Sequence, residues 1–146
     1  MRSLEGRFAY DTDNAGRLDP LSSGYTDCSG LTYFVYHQKT GYMIGEVEDT
    51  QAKRGNVIVN IRAGERFPIE LMKPGDVICT YRDAGMTHYD HAALYMGNNE
   101  VWDQSTSWPG GDWTKGPHLR TADCEYGLWD SMSQNKYGAV VVRFLE

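Results

Sequence analysis

Cys28 and His91 are the two side chains whose chemistry, taken together, could break an amide bond. A thiol attacks a carbonyl carbon as its thiolate, and a free cysteine is only slightly ionised at neutral pH. Cys28 lies in segment 27–30 (Asp-Cys-Ser-Gly), where a helix is predicted to begin, and the first turn of a helix stabilises an anion. The small residues behind it leave room for backbone amides to hold an oxyanion. Cys28 is the candidate nucleophile, although a structural cysteine at a helix start is an equally simple interpretation of these residues alone.

The general base should come from the histidines of the chain, which are His37, His88, His91 and His118. His37 lies nine residues after Cys28 on the same predicted helix, half a turn out of phase, and is predicted to be exposed. His118 follows a Gly-Pro pair in a predicted loop. His91 opens a predicted strand, and the two alanines at 92–93 are small enough to let a helix bring Cys28 to the imidazole. His91 is therefore the candidate base, although a lone histidine at a strand end is more often structural.

A third polar group should orient the imidazole through its other nitrogen, and the next strand is the natural source. A three-residue hairpin loop over 97–99 would place Asp103 diagonally beside His91. A two-residue turn would shift the parity by one and bring Gln104 or Trp102 to that face instead. The prediction is Asp103, with Gln104 as the alternative.

A metal site is the competing interpretation of the polar residues in this region, which are His88, Asp90, His91 and Asp103. His88 and His91 are separated by an odd number of residues, so their side chains face opposite ways on a strand. The chain also lacks a helical His-Glu-x-x-His pattern. The expectation is a site without metal or other cofactor.

The elements that must position these residues follow from periodicity and from turn signals. The stretch before residue 26 shows neither helical nor strand periodicity and is predicted to be a long ordered loop. Segment 105–117, which contains Trp108 and Trp113, is predicted to be a surface loop. Helices are predicted at 28–39 and 46–54, and strands at 57–61, 77–81, 91–96, 100–104 and 139–144. A helix followed by a mainly antiparallel sheet is an α+β arrangement.

Composition limits the classes of partner. A chain of 146 residues is the size of one domain, so 1–146 is predicted to be a single catalytic domain. Fourteen basic residues against twenty acidic ones give a charge of −6, which disfavours nucleic acid. No apolar run is long enough for a membrane span, no signal peptide is visible, and three cysteines indicate no disulfide framework.

Three segments together resemble the NlpC-type papain-like cysteine peptidases, over about residues 6 to 104. They are 27–30 (Asp-Cys-Ser-Gly), 74–76 (Pro-Gly-Asp) before a strand, and 91–97 (His-Ala-Ala-Leu-Tyr-Met-Gly), with a polar residue twelve positions after the histidine. The resemblance implies a papain-like fold whose nucleophile helix packs on the sheet. It also implies cleavage of peptidoglycan stem peptides, usually beside D-glutamate. The order of the cysteine and the histidine differs from that of the circularly permuted acyltransferase relatives.

Within that superfamily, segments 6–10 (Gly-Arg-Phe-Ala-Tyr) and 24–28 (Gly-Tyr-Thr-Asp-Cys) are most similar to the catalytic domains of bacteriophage endolysins. This resemblance implies that Tyr10 shapes the site near the oxyanion. Asp103 stands where the family more commonly has a histidine, and an acidic residue can orient an imidazole equally well.

The resemblance therefore implies a peptidoglycan hydrolase made in the cytoplasm of the bacterial host and acting at the cell wall. Its acidic charge suggests either that a separate wall-binding domain or chain assists it or that its target tolerates the charge. Three alternatives stay open: an amidase that cuts between muramic acid and L-alanine, a toxin delivered between bacteria, and a non-catalytic module that binds the wall through its aromatic loop. The joint presence of Cys28, His91 and Asp103 argues against the last, because a binding module needs none of them.

Overall fold

The computed structural model describes residues 6–13, 16–62, 65–83, 85, 88–104, 117–121 and 137–144. The predicted aromatic loop, with Trp108 and Trp113, and the third cysteine, Cys124, lie outside the described residues. The α-helices are α1 (Pro20–Ser23), α2 (Cys28–Thr40) and α3 (Glu48–Arg54), and a 3₁₀ helix spans Ile69–Leu71. The strands are β1 (Ala9–Tyr10), β2 (Tyr25–Thr26), β3 (Asn56–Ile61), β4 (Val77–Tyr81), β5 (Tyr89–Gly97), β6 (Glu100–Asp103), β7 (His118–Thr121) and β8 (Ala139–Arg143).

Helix α2 begins and ends where its sequence signals predict. The Asp27 side chain accepts a hydrogen bond from the Gly30 amide at 2.7 Å, which caps the first turn. Gly41 ends the helix in the left-handed region at φ 72°, where glycine carries no steric penalty. The buried face includes Leu31, Phe34 and Val35. The predicted helix is therefore confirmed.

A six-stranded antiparallel sheet of order β3-β8-β4-β5-β6-β7 forms the centre of the fold. Apolar side chains cover both of its faces. The helix side includes Ala92, Leu94, Trp102, Val140 and Val142, packed against α2 and α3. The other side includes Ile78, Ala93, Tyr95, Val101 and Val141, covered by Phe67 and Met72. The predicted α+β class is confirmed, and so are the predicted strands of this sheet.

The short elements α1, β1, β2 and β7 were not predicted. The segment expected to be a loop before residue 26 contains α1 and a parallel pair of two-residue strands, in which Tyr10 lies opposite Thr26. His118, expected in a loop, starts β7 instead. Elements this short leave no periodic pattern in a sequence. No helix in the part of the chain that the structure describes is both long and apolar enough to cross a membrane.

The β5–β6 hairpin turns through two residues, and the expected three-residue loop is wrong. Asn98 and Asn99 both have positive φ, at 52° and 61°, and Gly97 pairs with Glu100. Two consecutive positive φ angles are typical of a type I′ turn, which asparagine tolerates well. The register then shifts at Met96, because β5 carries one extra residue there relative to β6. This bulge restores the strand parity that the shorter turn would have changed.

Candidate active site

Cys28 is the first residue of α2 and is held against β5. Its side chain is buried, with 3% of its surface exposed. Backbone amides of Ser29 and Ala92 donate hydrogen bonds to its sulfur. Ala92 follows His91 directly, so the sulfur lies against the strand that carries the candidate base, next to that residue in the chain. Of the two alanines predicted to admit the helix, Ala92 faces it, whereas Ala93 belongs to the opposite face of the sheet.

The surroundings of Cys28 favour the neutral thiol in the absence of substrate. Burial raises the pKa of the thiol well above its ordinary value, and the nearby carboxylates of Glu48 and Asp27 raise it further. The hydrogen bonds from the Ala92 and Ser29 amides lower the pKa but do not outweigh burial. A base must therefore remove the proton before the sulfur can attack.

His91 is oriented by Asp103 at the required distance. Nε2 of the imidazole lies 2.7 Å from Oδ2 of Asp103, and both side chains are buried. This contact holds the ring through Nε2, so Nδ1 is the nitrogen that Asp103 does not engage. A carboxylate that binds one imidazole nitrogen in this way selects the tautomer in which the other nitrogen can act as a base.

The pairing of β5 with β6 explains this contact. Leu94 lies opposite Trp102, and the same register places Asp103 opposite Ala93 and diagonally beside His91. Trp102 points instead into the core under the helices. The sequence predicted the pair of His91 and Asp103, but through a different turn.

Gln104, the alternative partner of His91, has another role. Its side chain is fully buried, and its Nε2 donates a hydrogen bond to the carbonyl of Phe8 at 3.1 Å. The contact joins the end of β6 to the segment that leads into β1. The alternative assignment is therefore wrong: Gln104 anchors the chain that carries Tyr10.

Tyr10 lies beside the nucleophile. It is half-buried in β1 and lies opposite Thr26, which is two residues before Cys28 in the chain. Burial raises the pKa of its phenol, and the Asp27 carboxylate, together with the Cys28 thiolate once it forms, raises that pKa further. The hydroxyl therefore stays protonated across the range in which a protein is active, and it can donate a hydrogen bond to a developing oxyanion.

The other histidines lie elsewhere or outside the description. His37 is exposed near the end of α2 and stacks on Tyr33. His88 is exposed before β5. The backbone of His118 pairs with Asp103, but its side chain lies outside the described residues, as does that of Asp90. Within the described part of the chain, no three His, Cys, Asp or Glu side chains form a group that could hold a metal ion.

Helix α3 is the part of the site that sequence reasoning missed. Gln51 is fully buried; it donates hydrogen bonds to the carbonyls of Ser29 at 2.9 Å and Gly45 at 3.0 Å, and accepts one from Thr32 at 2.8 Å. These bonds tie α3 to the first turn of α2. The predicted helix at 46–54 is confirmed as α3, but the sequence did not link it to the site.

The first turn of α3 also contacts the base strand. Asp49 accepts a hydrogen bond from the amide of Tyr89 at 2.9 Å, two residues before His91. Glu48, the first residue of the helix, is the charged group that raises the pKa of Cys28 most after burial. An acidic side chain therefore flanks the thiol, and no motif in the sequence indicated it.

Comparisons with known proteins agree with this geometry. The sequence profile of the NlpC/P60 family matches residues 11–109. The NlpC/p60 domain of the peptidoglycan hydrolase SagA has 22% identity and a TM-score of 0.57, covering 98% of this chain and 92% of that one. An NlpC/P60 family protein from Bacillus cereus has 20% identity and a TM-score of 0.59, covering 84% of this chain and 32% of that one. No curated protein matches the chain.

The share of each solved structure that this chain covers varies widely. A protein from Staphylococcus aureus, described as similar to lipoprotein of the NLP/P60 family, has 20% identity and a TM-score of 0.60, covering 98% of this chain and 39% of its own. The chain thus spans about a third of the B. cereus protein but nearly all of the SagA domain. The shared feature is the fold that positions Cys28 and His91.

Proposed function

The chain belongs to the NlpC/P60 family, whose members are cysteine peptidases that act on peptidoglycan, and from this membership we propose that it hydrolyses an amide bond of the peptidoglycan stem peptide. One observation carries the proposal: a buried thiol at a helix start lies against the strand of a histidine that a carboxylate orients at 2.7 Å. A binding module needs none of these groups.

The first half of the reaction makes an acyl-enzyme. His91 takes the proton of Cys28 through Nδ1, and the thiolate attacks the carbonyl carbon of the scissile amide. The Cys28 amide and the Tyr10 hydroxyl donate hydrogen bonds to the oxyanion. The carbon–nitrogen bond then breaks, the imidazolium passes its proton to the leaving amine, and a thioester with Cys28 remains.

The second half returns the enzyme to its starting state. The amine product leaves, and water takes its place beside the imidazole. His91 removes a proton from this water, whose oxygen attacks the thioester carbon. The carbon–sulfur bond breaks, the proton returns to the sulfur, and the stem peptide leaves with a new carboxylate. Asp103 stays ionised and holds the imidazole throughout.

The proposed bond is the one beside D-glutamate, and the proposed biological role is that of an endolysin. The order of Cys28, His91 and a polar third residue supports the bond, through resemblance to the NlpC-type peptidases. Segments 6–10 and 24–28 support the endolysin role in the same way. In this role the protein is made in the cytoplasm of the host and reaches the wall at lysis.

The test is digestion of purified walls, with fragments identified by mass spectrometry. The native protein should release muropeptides with a new amine on the residue after D-glutamate, whereas Cys28→Ala should release none. Cys79→Ala is the matched control, because Cys79 is the other buried cysteine among the described residues and lies in the core. Equal digestion by native protein and Cys28→Ala would refute the cysteine mechanism.

The same fragments decide between the two bonds. A new L-alanine amine on the released peptide would assign the protein as an amidase instead. Digestion should continue unchanged in a chelator, and loss of activity there would restore the metal hypothesis.

A further inference from the structure

We propose that Arg17 is a positioning residue of this reaction: its guanidinium binds the carboxylate of Asp27 and offsets the negative charge that this carboxylate places beside Cys28. The proposal rests on the proposed function of Cys28 as the nucleophile. It assigns a chemical role to the long segment between Tyr10 and the nucleophile, which the sequence predicted only as an ordered loop.

The ion pair is buried at the start of α2. Nη1 of Arg17 lies 3.1 Å from Oδ1 of Asp27, and the exposed fractions of the two side chains are 3% and 11%. The same oxygen accepts the capping hydrogen bond from the Gly30 amide at 2.7 Å. One carboxylate oxygen therefore meets both the guanidinium and the first turn of the nucleophile helix.

The backbone of Arg17 is fixed independently of its side chain. Its carbonyl accepts a hydrogen bond from the Thr26 hydroxyl at 2.7 Å, and its amide donates one to the carbonyl of Asp13 at 3.1 Å. A Cβ atom on Gly30 would come within 2.7 Å of the Arg17 carbonyl oxygen. The segment around Arg17 thus packs directly on the helix start, so the guanidinium is held in place beside Asp27.

The capping carboxylate has opposite effects on the helix and on the thiol. A carboxylate at the N-cap stabilises a helix, but Asp27 directly precedes Cys28 and raises the pKa of its thiol. Charges interact strongly where water is excluded, so a buried cation on the same carboxylate reduces this effect. The guanidinium also lowers the pKa of Tyr10, which indicates that its field reaches the site.

Other groups around Cys28 do not replace Arg17. Glu48 of α3 adds negative charge, and the phenol of Tyr10 is neutral. His91 of β5 already has Asp103 as its partner. The other groups that affect the pKa of the Cys28 thiol are the uncharged backbone amides of Ser29 and Ala92. Arg17 is the cation that binds Asp27, the carboxylate directly before Cys28, at the start of the nucleophile helix.

The experiment measures ionisation of Cys28 without requiring hydrolysis. Iodoacetamide reacts with the thiolate of a cysteine. The folded protein is alkylated across a pH series, and mass spectrometry of the digested protein follows the modification of the peptide that contains Cys28. The dependence of this rate on pH reports the thiol pKa. Arg17→Gln should slow alkylation about tenfold at a pH below that pKa, a shift of about one pKa unit. Arg17→Lys, which keeps the charge, should restore most of the rate.

Two further variants separate this electrostatic role from a structural one. Asp27→Asn retains an N-cap but removes the charge; it should speed alkylation on its own, and combined with Arg17→Gln it should return the rate towards that of the native protein, because both opposing charges are then gone. Arg143→Gln breaks the ion pair with Asp76, which is also largely buried but does not act on Cys28, and should leave the alkylation profile unchanged.

An unchanged profile in folded Arg17→Gln, with only a lower melting temperature, would overturn the proposal. If Arg17→Gln does not fold, Asp27→Asn decides the question, because an unchanged rate there would mean that the Asp27 charge does not act on the thiol. Failure of the wall-digestion assay with a shifted alkylation profile would refute the proposed function but not the effect of Arg17 on Cys28.

Discussion

Nε2 of His91 and Oδ2 of Asp103 lie 2.7 Å apart between buried side chains, on neighbouring strands of the sheet. The contact depends on ionised Asp103, which holds one tautomer of the imidazole and stabilises the imidazolium. Asp103→Asn keeps the shape of the side chain but removes the charge. We expect kcat to fall on the order of 10² to 10⁴-fold, measured as turnover of a synthetic stem peptide.

Two variants test whether the loss arises at the imidazole. Asp103→His introduces the residue that is commoner in related peptidases, and it should retain far more activity than Asp103→Asn. Gln104→Met removes the neighbouring hydrogen bond to Phe8 and loosens the segment before Tyr10, so it should lower stability and should lower kcat less than Asp103→Asn does. Equal losses in Asp103→Asn and Gln104→Met would contradict the orienting role.

Glu48 provides a prediction about pH. Its carboxylate raises the pKa of the Cys28 thiol, so Glu48→Gln should lower that pKa and shift the acidic limb of the activity profile to lower pH. Alkylation of Cys28 at neutral pH should become several-fold faster, which corresponds to a fall in the thiol pKa on the order of one half to one unit. The matched control is Glu70→Gln, because Glu70 is exposed and pairs with Arg66 away from the site. A shift to higher pH in Glu48→Gln would show that the sign of this effect is wrong.

Tyr10 can be tested against a neighbouring tyrosine. Tyr10→Phe removes one donor to the oxyanion, and loss of such a donor lowers kcat by about 10²-fold or more. Since the phenol acts in the transition state, KM should change little. Tyr25→Phe is the control. Tyr25 of β2 pairs with Ala9 of β1, but its hydroxyl donates a hydrogen bond to the carboxylate of Asp13. Steady-state kinetics with both variants would exclude Tyr10 from the oxyanion site if their kcat values matched.

Periodic segments explain how much of this fold the sequence could predict. Helix α2 shows a cap, a glycine stop and apolar residues at helical spacing, and β4 and β8 carry β-branched runs, so each was identified with nearly correct bounds. The strands β1, β2 and β7 have two to four residues, too few to show a period. Their pairing depends on distant parts of the chain.

In the β5–β6 hairpin, the predicted contact between His91 and Asp103 is present, but the turn predicted to produce it is not. Sequence reasoning required three loop residues to bring Asp103 to His91, whereas the chain uses a two-residue turn and a bulge at Met96. Each changes strand parity by one, and the two changes cancel. A bulge has no reliable sequence signal. The same limit applies to Arg17 and Glu48, whose approach to Cys28 depends on tertiary packing.

Gly30 is the position where the packing of Arg17 on the nucleophile helix can be tested by stability. A Cβ atom there would lie 2.7 Å from the carbonyl oxygen of Arg17 and from side-chain oxygens of Asp27 and Thr26, although the backbone itself accepts alanine. Gly30→Ala should therefore destabilise the protein by about 1–3 kcal/mol, measured by urea denaturation. Ser29→Ala, at the adjacent buried position, should be nearly neutral, because its hydroxyl makes no hydrogen bond to the described part of the protein. Equal stability of Gly30→Ala and Ser29→Ala would mean that the segment around Arg17 can move away from the helix, and it would remove the basis for a fixed guanidinium beside Asp27.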